Sequence, residues 1–444
     1  MLLILWIGGG ASRADVMGQV FVRAGAWIVL IAFILFGRRP HLHTIAPVAF
    51  VVLTSAFLVA LQLIPLPPTI WAALPGREML EQAAVATGEG QPWRPLSLSP
   101  GATFNALSSL IVPVAALLPL AALSGADHWR LATLLLGLVI ASALIGLLQF
   151  SGGHFDHLLI NDAPRAVSAI FANRNHFALF AAIGSVLVPA WAFHDERQKR
   201  WKAPLALVLL LFLALIILAT GSRSGMMVGA LGVPLGILNM RRPIMTELRR
   251  LPKPVSWTLI AVIVAIPLAT IVLSVALGRA VSVDRLVELD AGDDLRRQAL
   301  PTVWAMIQFY FPFGTGAGAF DPAYRIHEPD ALLSAAYFNH AHNDLLEVVL
   351  DAGLAGALLL LGAIGWWLWR SINVWRSDSS RDGLARAGSA ILLLTLAASV
   401  TDYPVRTPMI MAVVVIAAVW LNNRPRHAEE AGSSRRHERR ATGP

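Results

Sequence analysis

Residues 339–370 read NHAHNDLLEVVLDAGLAGALLLLGAIGWWLWR, and this stretch decides how the chain is to be read. Two imidazoles, His340 and His342, and two amides, Asn339 and Asn343, stand at the mouth of an apolar run of transmembrane length. About 20 apolar residues cross a bilayer core, and ionisable groups beside such a run mark a pathway or an active site. With helical spacing from Asp344 onward, Asp344, Glu347 and Asp351 share one face while Gly353 and Gly356 lie toward the other. The carboxylates suit the positive end of a helix dipole and would orient His342 or take arginine partners, whereas the small residues suit close helix packing.

The apolar pattern recurs from end to end. The 444 residues are 56% hydrophobic and 14% charged, against about 45–50% and about 25% in a soluble domain. We read an all-α polytopic membrane protein with about 12 transmembrane helices, at 1–10 (short), 16–36, 44–64, 103–123, 130–150, 177–193, 203–220, 222–239, 256–277, 345–369, 386–400 and 407–422. The opening Met1–Trp6 has no basic n-region and reads as a short first span rather than a cleaved signal. Residues 1–422 then form a single transmembrane domain, and 423–444, rich in Arg, Glu and Ser without periodicity, a disordered basic tail.

The formal net charge of +8 does not point to nucleic acid, because the basic residues sit in short clusters between apolar runs. They fall at Arg38–Arg39, Arg197–Lys202, Arg241–Lys253, Arg370–Arg386 and Arg424–Arg440, all on one side of the bilayer. By the positive-inside rule that side is the cytoplasm, with both termini inside. There are no cysteines, so disulfides, thiolate chemistry and Cys-ligated metals are excluded.

The opposite side carries the longer loops, 65–102, 151–176 and the large 278–344. Within the last, Pro301–Phe313 has the pattern of an amphipathic interfacial segment, and Gly314-Thr315-Gly316-Ala317-Gly318 ends it as a turn. No strand precedes those glycines and no Lys follows, so they are not a nucleotide loop. Asp293-Asp294 are adjacent in this polar loop without a further acidic cluster, which suits a solvated face better than a metal pair.

Arg165, Arg174, Arg223, Arg296, Arg297, Arg325 and Arg406 all fall on this second side, where topology disfavours arginine. The planar guanidinium fork suits phosphate or carboxylate, so the group points to an anionic, lipid-linked ligand. Arg223 lies in a brief polar break, Thr220–Gly225, whose N–H groups would open an anion site at a helix start; the alternative is that Arg223 snorkels or pairs with a carboxylate. Ser222 has no visible base beside it and is a poor nucleophile. For His342 three readings stand: a general base, a metal ligand with His340 and Asp344, or a hydrogen-bonded structural histidine.

These residues resemble a known family, the O-antigen ligase and polymerase superfamily of bacterial envelope glycosyltransferases. His342-Asn343-x9-Gly353-x-x-Gly356 resembles its His-Asn-x9-Gly-x-x-Gly signature, and Thr220–Gly225 its Ser-Arg-Gly segment. Arg165–Asn175 is similar to its Arg to Phe-x-Asn-Pro-Asn stretch, with Arg174 where proline is usual. Asp294-Leu295-Arg296 through Pro312–Gly316 to Phe320 is similar to its large periplasmic loop. The resemblance implies a fold related to the lipid-dependent, GT-C-like glycosyltransferases, a periplasmic active site, no metal or other cofactor, and a glycan donor on undecaprenyl diphosphate.

On that resemblance His342 is the base that deprotonates an acceptor hydroxyl, and Arg223 and Arg296 bind the lipid diphosphate, with inversion at the anomeric carbon. Arg165 supports the donor site, and Asn343 orients the imidazole or the acceptor. His340, Arg297, Arg325 and Arg406 are further substrate contacts; Arg296 is favoured over Arg297 as the loop arginine by its spacing to Pro301 and Pro312. The acceptor implied is a lipid A core sugar. A polymerase joining repeat units or a protein ligase using a protein hydroxyl shares most of these features, and outside the superfamily a polysaccharide or anion transporter, or a noncatalytic scaffold, uses similar residues.

Overall fold

The computed structural model describes residues 1–423 except 89, 154, 156, 161–165, 196, 259–260, 263–264, 266–267, 270–271, 273–282, 334–337, 378 and 380–381, and for 283–295 it describes the backbone alone. The Arg174–Phe193 helix is the axis of a helical bundle, with 89% of its membrane-length window buried. It presents Ala178, Ala181, Ala182 and Ser185 to its neighbours, and small side chains let helix backbones approach closely. Gly236 of the Arg223–Asn239 helix uses that room: a Cβ there would stand 2.6 Å from the Ser185 carbonyl oxygen. Lys199–Ala219, Gly125–Phe150 and Gly383–Ser399 pack around the same axis.

The outer helices are apolar on the outside as well. Met17–Phe36, Leu42–Leu61 and Asp344–Arg376 are only 28%, 17% and 22% buried over their apolar windows. Phe50, Leu53, Phe57, Leu358 and Leu361 are exposed. In water such faces would aggregate; hydrocarbon is the solvent that suits them. Seven of the described helices are long and apolar enough to cross a membrane, and Arg223–Asn239, Gly383–Ser399 and Pro408–Asn422 complete the bundle as shorter members. The chain is an all-α polytopic membrane protein, with one two-residue strand pair, Pro65–Leu66 antiparallel to Arg94–Pro95, among its described residues.

The bundle has two chemically distinct ends. At one, the His41 N–H donates to the Ala121 carbonyl (2.9 Å), the Asn422 amide to Thr44 (2.6 Å), the Arg370 guanidinium to Leu421 (3.1 Å) and the Asn239 amide to Gly383 (2.9 Å). Lys199 pairs with Glu247 at 2.8 Å nearby in the chain. Four of the five basic clusters read from the sequence are therefore drawn to this end, and the fifth, 424–440, lies outside the described residues. The other end gathers 62–88, 90–102, 173–175, 222, 312–318, 340–351 and 402–407.

Most expected spans have a matching helix, two expectations change, and one falls largely outside the described residues. The first span is a seven-residue helix, Leu2–Gly8, about 10 Å long at ~1.5 Å per residue and too short to cross a core of about 30 Å. The span at 256–277 falls largely on residues outside those described. Finally, the segment from Pro301 is the last third of one helix, Val283–Tyr310, whose backbone also carries Asp293 and Asp294, so these are helical rather than in a loop. Val303, Met306, Ile307 and Tyr310 are buried on one face of it, and Trp304 and Phe309 are exposed on the other.

Gly353 breaks the Asp344–Arg376 helix at φ 55°, ψ −138°, a backbone region closed to residues with a Cβ. A Cβ at this position would lie 1.9 Å from the Pro312 carbonyl oxygen. Gly353 thus serves a break rather than the helix packing expected of it. The break frees backbone groups, which a buried site must re-satisfy. The Pro312–Gly318 turn supplies the partners: Thr315 N–H donates to Leu350 O (2.9 Å), Gly316 N–H to Asp351 O (3.0 Å), and Leu354 N–H donates to Pro312 O (2.9 Å).

A second layer holds that turn. Gln62 donates through Nε2 to the Asp351 carbonyl (2.9 Å) and accepts the Ala317 N–H (2.8 Å). Arg77, fully buried, donates to the Leu96 carbonyl at 2.7 Å and the Gly314 carbonyl at 3.2 Å, with its guanidinium 5.7 Å from the rings of both Trp71 and Tyr310. Burial lowers its pKa to about 10, so it stays charged at neutral pH. Replacing Gly353 by alanine is expected to destabilise the detergent-solubilised protein by about 2–3 kcal/mol in thermal melting. Gly362→Ala, where a Cβ meets nothing within 4 Å, serves as the control and should melt like the parent protein.

Candidate active site

Segments far apart in sequence meet at Asp402, which sits in the link between the Gly383–Ser399 and Pro408–Asn422 helices and is 1% exposed. Its Oδ2 accepts from the side-chain amides of Asn173 (2.9 Å) and Asn175 (2.6 Å). Its Oδ1 accepts the Tyr403 N–H at 3.0 Å and faces His342 Nδ1 at 3.3 Å. Its carbonyl takes the Asp344 N–H at 3.3 Å. Burial by itself raises this carboxyl, but the His342 hydrogen bond, the imidazoles of His176 and His342, and the Arg296 charge outweigh it and hold Asp402 well below the ordinary carboxylate range.

Asp402, Asn173 and Asn175 were not among the site residues expected from sequence. Asn173 does two jobs: it caps the Arg174–Phe193 helix, taking the Asn175 N–H on Oδ1 (2.8 Å), while its amide holds Asp402. The available signal was a lone aspartate between two apolar runs, on the arginine-rich side. Such a charge needs a reason to be there.

His342 is 12% exposed at its side chain and adopts φ 48°, uncommon for a residue with a Cβ and costly unless its surroundings hold it. With Nδ1 on Asp402, the ring turns Nε2 away from the carboxylate. Burial lowers the imidazole below its ordinary value; the Asp402 hydrogen bond opposes that, and Arg296 reinforces it. The net shift is downward, so His342 is neutral at neutral pH and able to accept a proton. The Tyr403 ring lies 4.9 Å from the imidazole and the Phe338 ring 6.0 Å.

His340 faces elsewhere. Its Nδ1 is 2.8 Å from Glu347 Oε1, and Glu347 Oε2 takes the Ala341 N–H at 2.8 Å. Asp344 accepts the Ser399 hydroxyl (3.0 Å) and the Val405 N–H (3.2 Å). The two histidines and Asp344 therefore serve three different partners rather than converging on one point. Asn343 is the helix cap: its Oδ1 takes the Leu346 N–H and its amide donates to the Val400 carbonyl, both at 3.0 Å. These two bonds fix the start of the helix.

Arg406 is clasped by the whole acidic face, at 3.4 Å from Asp344, 3.2 Å from Glu347 and 3.0 Å from Asp351. Burial would lower its pKa, but Glu347, Asp351 and Asp344 together raise it above the ordinary range, which fixes the positive charge. Three carboxylates already neutralise this arginine, so the structure gives it a structural part and not the ligand contact expected from sequence. Arg325 is likewise engaged, holding Asp321 through Nε (2.7 Å) and Nη2 (3.3 Å) on an exposed helix surface.

The remaining arginines sort clearly. Arg223 is exposed at the first position of the Arg223–Asn239 helix. Its cap, Ser222, accepts the Gly225 N–H (2.8 Å) and donates to Asn175 Oδ1 (2.7 Å), which consumes the hydroxyl and leaves it no nucleophilic part. That bond ties the start of Arg223's helix to the amide that holds Asp402. Arg174 Nη1 reaches 4.0 Å from where a Gly221 Cβ would stand, beside the same break. Arg296 is half-buried with its charge acting on His342, Asp402 and Tyr403, whereas Arg297 is exposed, so Arg296 is the loop arginine that faces the site. Arg165 lies outside the described residues.

Truncating Arg406 tests the structural assignment. Arg406→Gln strands buried carboxylates, and the expected loss is about 3–5 kcal/mol of stability, read as a lower melting temperature and folded yield. A variant that melts normally yet loses affinity for an anionic lipid would instead restore Arg406 as a ligand contact.

Comparison with curated proteins finds no match to the chain. Residues 206–361 match the family model described as O-antigen ligase, a stretch that runs from the Lys199–Ala219 helix through Arg223, Arg296 and His342 to just beyond the Gly353 break. Over this segment, roughly a third of its length, the chain is similar to the O-antigen ligase family.

Proposed function

We propose that the protein is an inverting, metal-independent glycosyltransferase of the O-antigen ligase type. It transfers a glycan from undecaprenyl diphosphate to an acceptor hydroxyl, a lipid A core sugar, at the periplasmic face of the inner membrane. The observation that carries the reading is the buried His342–Asp402 pair beside Arg296 and two hydrogen bonds, through Asn175, from the start of the Arg223 helix. The segregation of four basic clusters to the opposite end supports a periplasmic site and cytoplasmic termini.

Asp402 orients His342 with hydrogen on Nδ1, leaving the Nε2 lone pair for the acceptor proton. As that proton moves to Nε2, the acceptor oxygen bonds to the anomeric carbon from the face opposite the leaving group. The bond from that carbon to the diphosphate oxygen breaks, and its electron pair leaves with the lipid. Arg223 and Arg296 stabilise the charge that collects on the diphosphate, preorganised stabilisation of the kind that dominates many enzymes. The imidazolium formed is held by Asp402 until it returns its proton to solvent.

Assayed with purified lipid-linked glycan and core acceptor, His342→Ala and Asp402→Asn are expected to lower kcat by about 100- to 10,000-fold while the melting temperature of His342→Ala holds. Normal transfer by correctly inserted His342→Ala removes the base assignment. Arg223→Lys keeps the charge but loses the fork, and its expected defect in donor use would be absent if Arg223 only snorkelled.

The pH profile follows from the direction of the His342 shift. A base works unprotonated, so the rate falls as pH drops through its pKa. Because burial and Arg296 place that pKa below the ordinary value of about 6.5, activity should be flat around neutrality and decline only below ~6.5. Arg296→Gln removes one lowering influence and should move the acid limb to higher pH; an unchanged limb would separate Arg296 from the base.

A further inference from the structure

His176 is a second imidazole on Asp402 that the mechanism above does not use. It lies in the first turn of the Arg174–Phe193 helix and is 2% exposed. Nδ1 is 2.9 Å from the hydroxyl of Thr407, the fully buried cap residue of the Pro408–Asn422 helix, and Nε2 is 3.9 Å from Asp402 Oδ1. That is the same oxygen that faces His342 Nδ1. The arrangement is His342–Asp402–His176, with the carboxylate's other oxygen taken by two asparagine amides.

We propose that His176 is a positioning residue that tunes the basicity of His342 through the shared Asp402 oxygen. This rests on the reading of His342 as the base. With the Thr407 hydroxyl donating to Nδ1, the ring carries hydrogen on Nε2, which lies 3.5 Å from the Asn173 amide nitrogen and 3.9 Å from Asp402 Oδ1. The 3.9 Å gap exceeds a hydrogen bond, and a cavity of about 10 Å³ lined by Asn175, His176, Ser224 and Asp402 adjoins the ring. Each donor on Oδ1 draws off negative charge that would otherwise favour the His342 imidazolium, so His176 holds the base at a lower working pH.

The titratable and charged groups facing this array are few, which makes the effect readable. They are Asp402 and Tyr403 on the link, His340 and His342 before the Asp344–Arg376 helix, and Arg296 from the Val283–Tyr310 helix.

The test is the kcat–pH profile of the full-length protein in membranes, with donor KM measured alongside. In His176→Phe the acid limb should rise by roughly half to one pH unit, the scale of one lost hydrogen bond, with KM for the donor within about twofold. His176→Gln, whose amide reaches the position of Nε2, should restore the limb. Where the phenylalanine variant does not insert, Thr407→Val decides by freeing the tautomer, and its limb should shift in the same direction. A His176→Phe or Thr407→Val limb superimposable on the parent, or a glutamine variant shifted as far as phenylalanine, overturns the proposal. His342→Ala separates the two failures: if it keeps the acid limb, the base reading itself has failed; if it abolishes transfer while His176→Phe leaves the limb unmoved, only the tuning role has.

Discussion

A carboxylate buried to 1% exposure must have its lone pairs met, and the whole candidate site is arranged to meet those of Asp402. Two asparagines reach it from the start of the central helix, one backbone N–H from its own link, and one imidazole from the loop before the Asp344–Arg376 helix. Satisfying one charge therefore locates three polypeptide segments relative to one another. Asn175 extends the chain further, because its carbonyl oxygen takes the Ser222 hydroxyl proton and so carries the register to the helix that begins with Arg223. His342 and the start of the Arg223–Asn239 helix are positioned by the same network.

The signature interval between Asn343 and Gly353 has a simple physical content. Asn343 caps a short helix and Gly353 ends it, and the nine residues between are about two and a half turns. That length brings Asp344, Glu347 and Asp351 onto one face, where Arg406 binds all three. Arg406 and Asp402 belong to the same link, so the link is held against the 340–351 segment at two points: one pairs His342 with Asp402, the other pairs the acidic face with Arg406. The left-handed backbone at His342 is then a consequence of being tied at both sides.

What sequence could and could not convey follows from the range of each interaction. The spans were legible because apolar runs of helical length need no partner to be recognised, and charge asymmetry sorted the loops by side. The acidic face of Asp344, Glu347 and Asp351 was legible from helical spacing alone. Asp402 was not, since its meaning depends on His342, 60 positions away, and on asparagines more than 220 away. Arg406 and Arg223 looked alike in sequence; only the carboxylates around Arg406 separate them. Gly353 looked like a packing residue, and its positive φ becomes visible only when the Pro312 carbonyl is seen against it.

The central claim is that Asp402 holds His342 with hydrogen on Nδ1 and a free lone pair on Nε2. The most direct measurement is the ¹⁵N spectrum of the histidine-labelled protein in bilayers near neutral pH, with the His342 signals identified by their loss in His342→Gln. The account predicts a protonated Nδ1 hydrogen-bonded to a carboxylate and an unprotonated Nε2, with this preference lost in Asp402→Asn. A His342 ring protonated on Nε2, or one whose tautomer ignores Asp402, would contradict it.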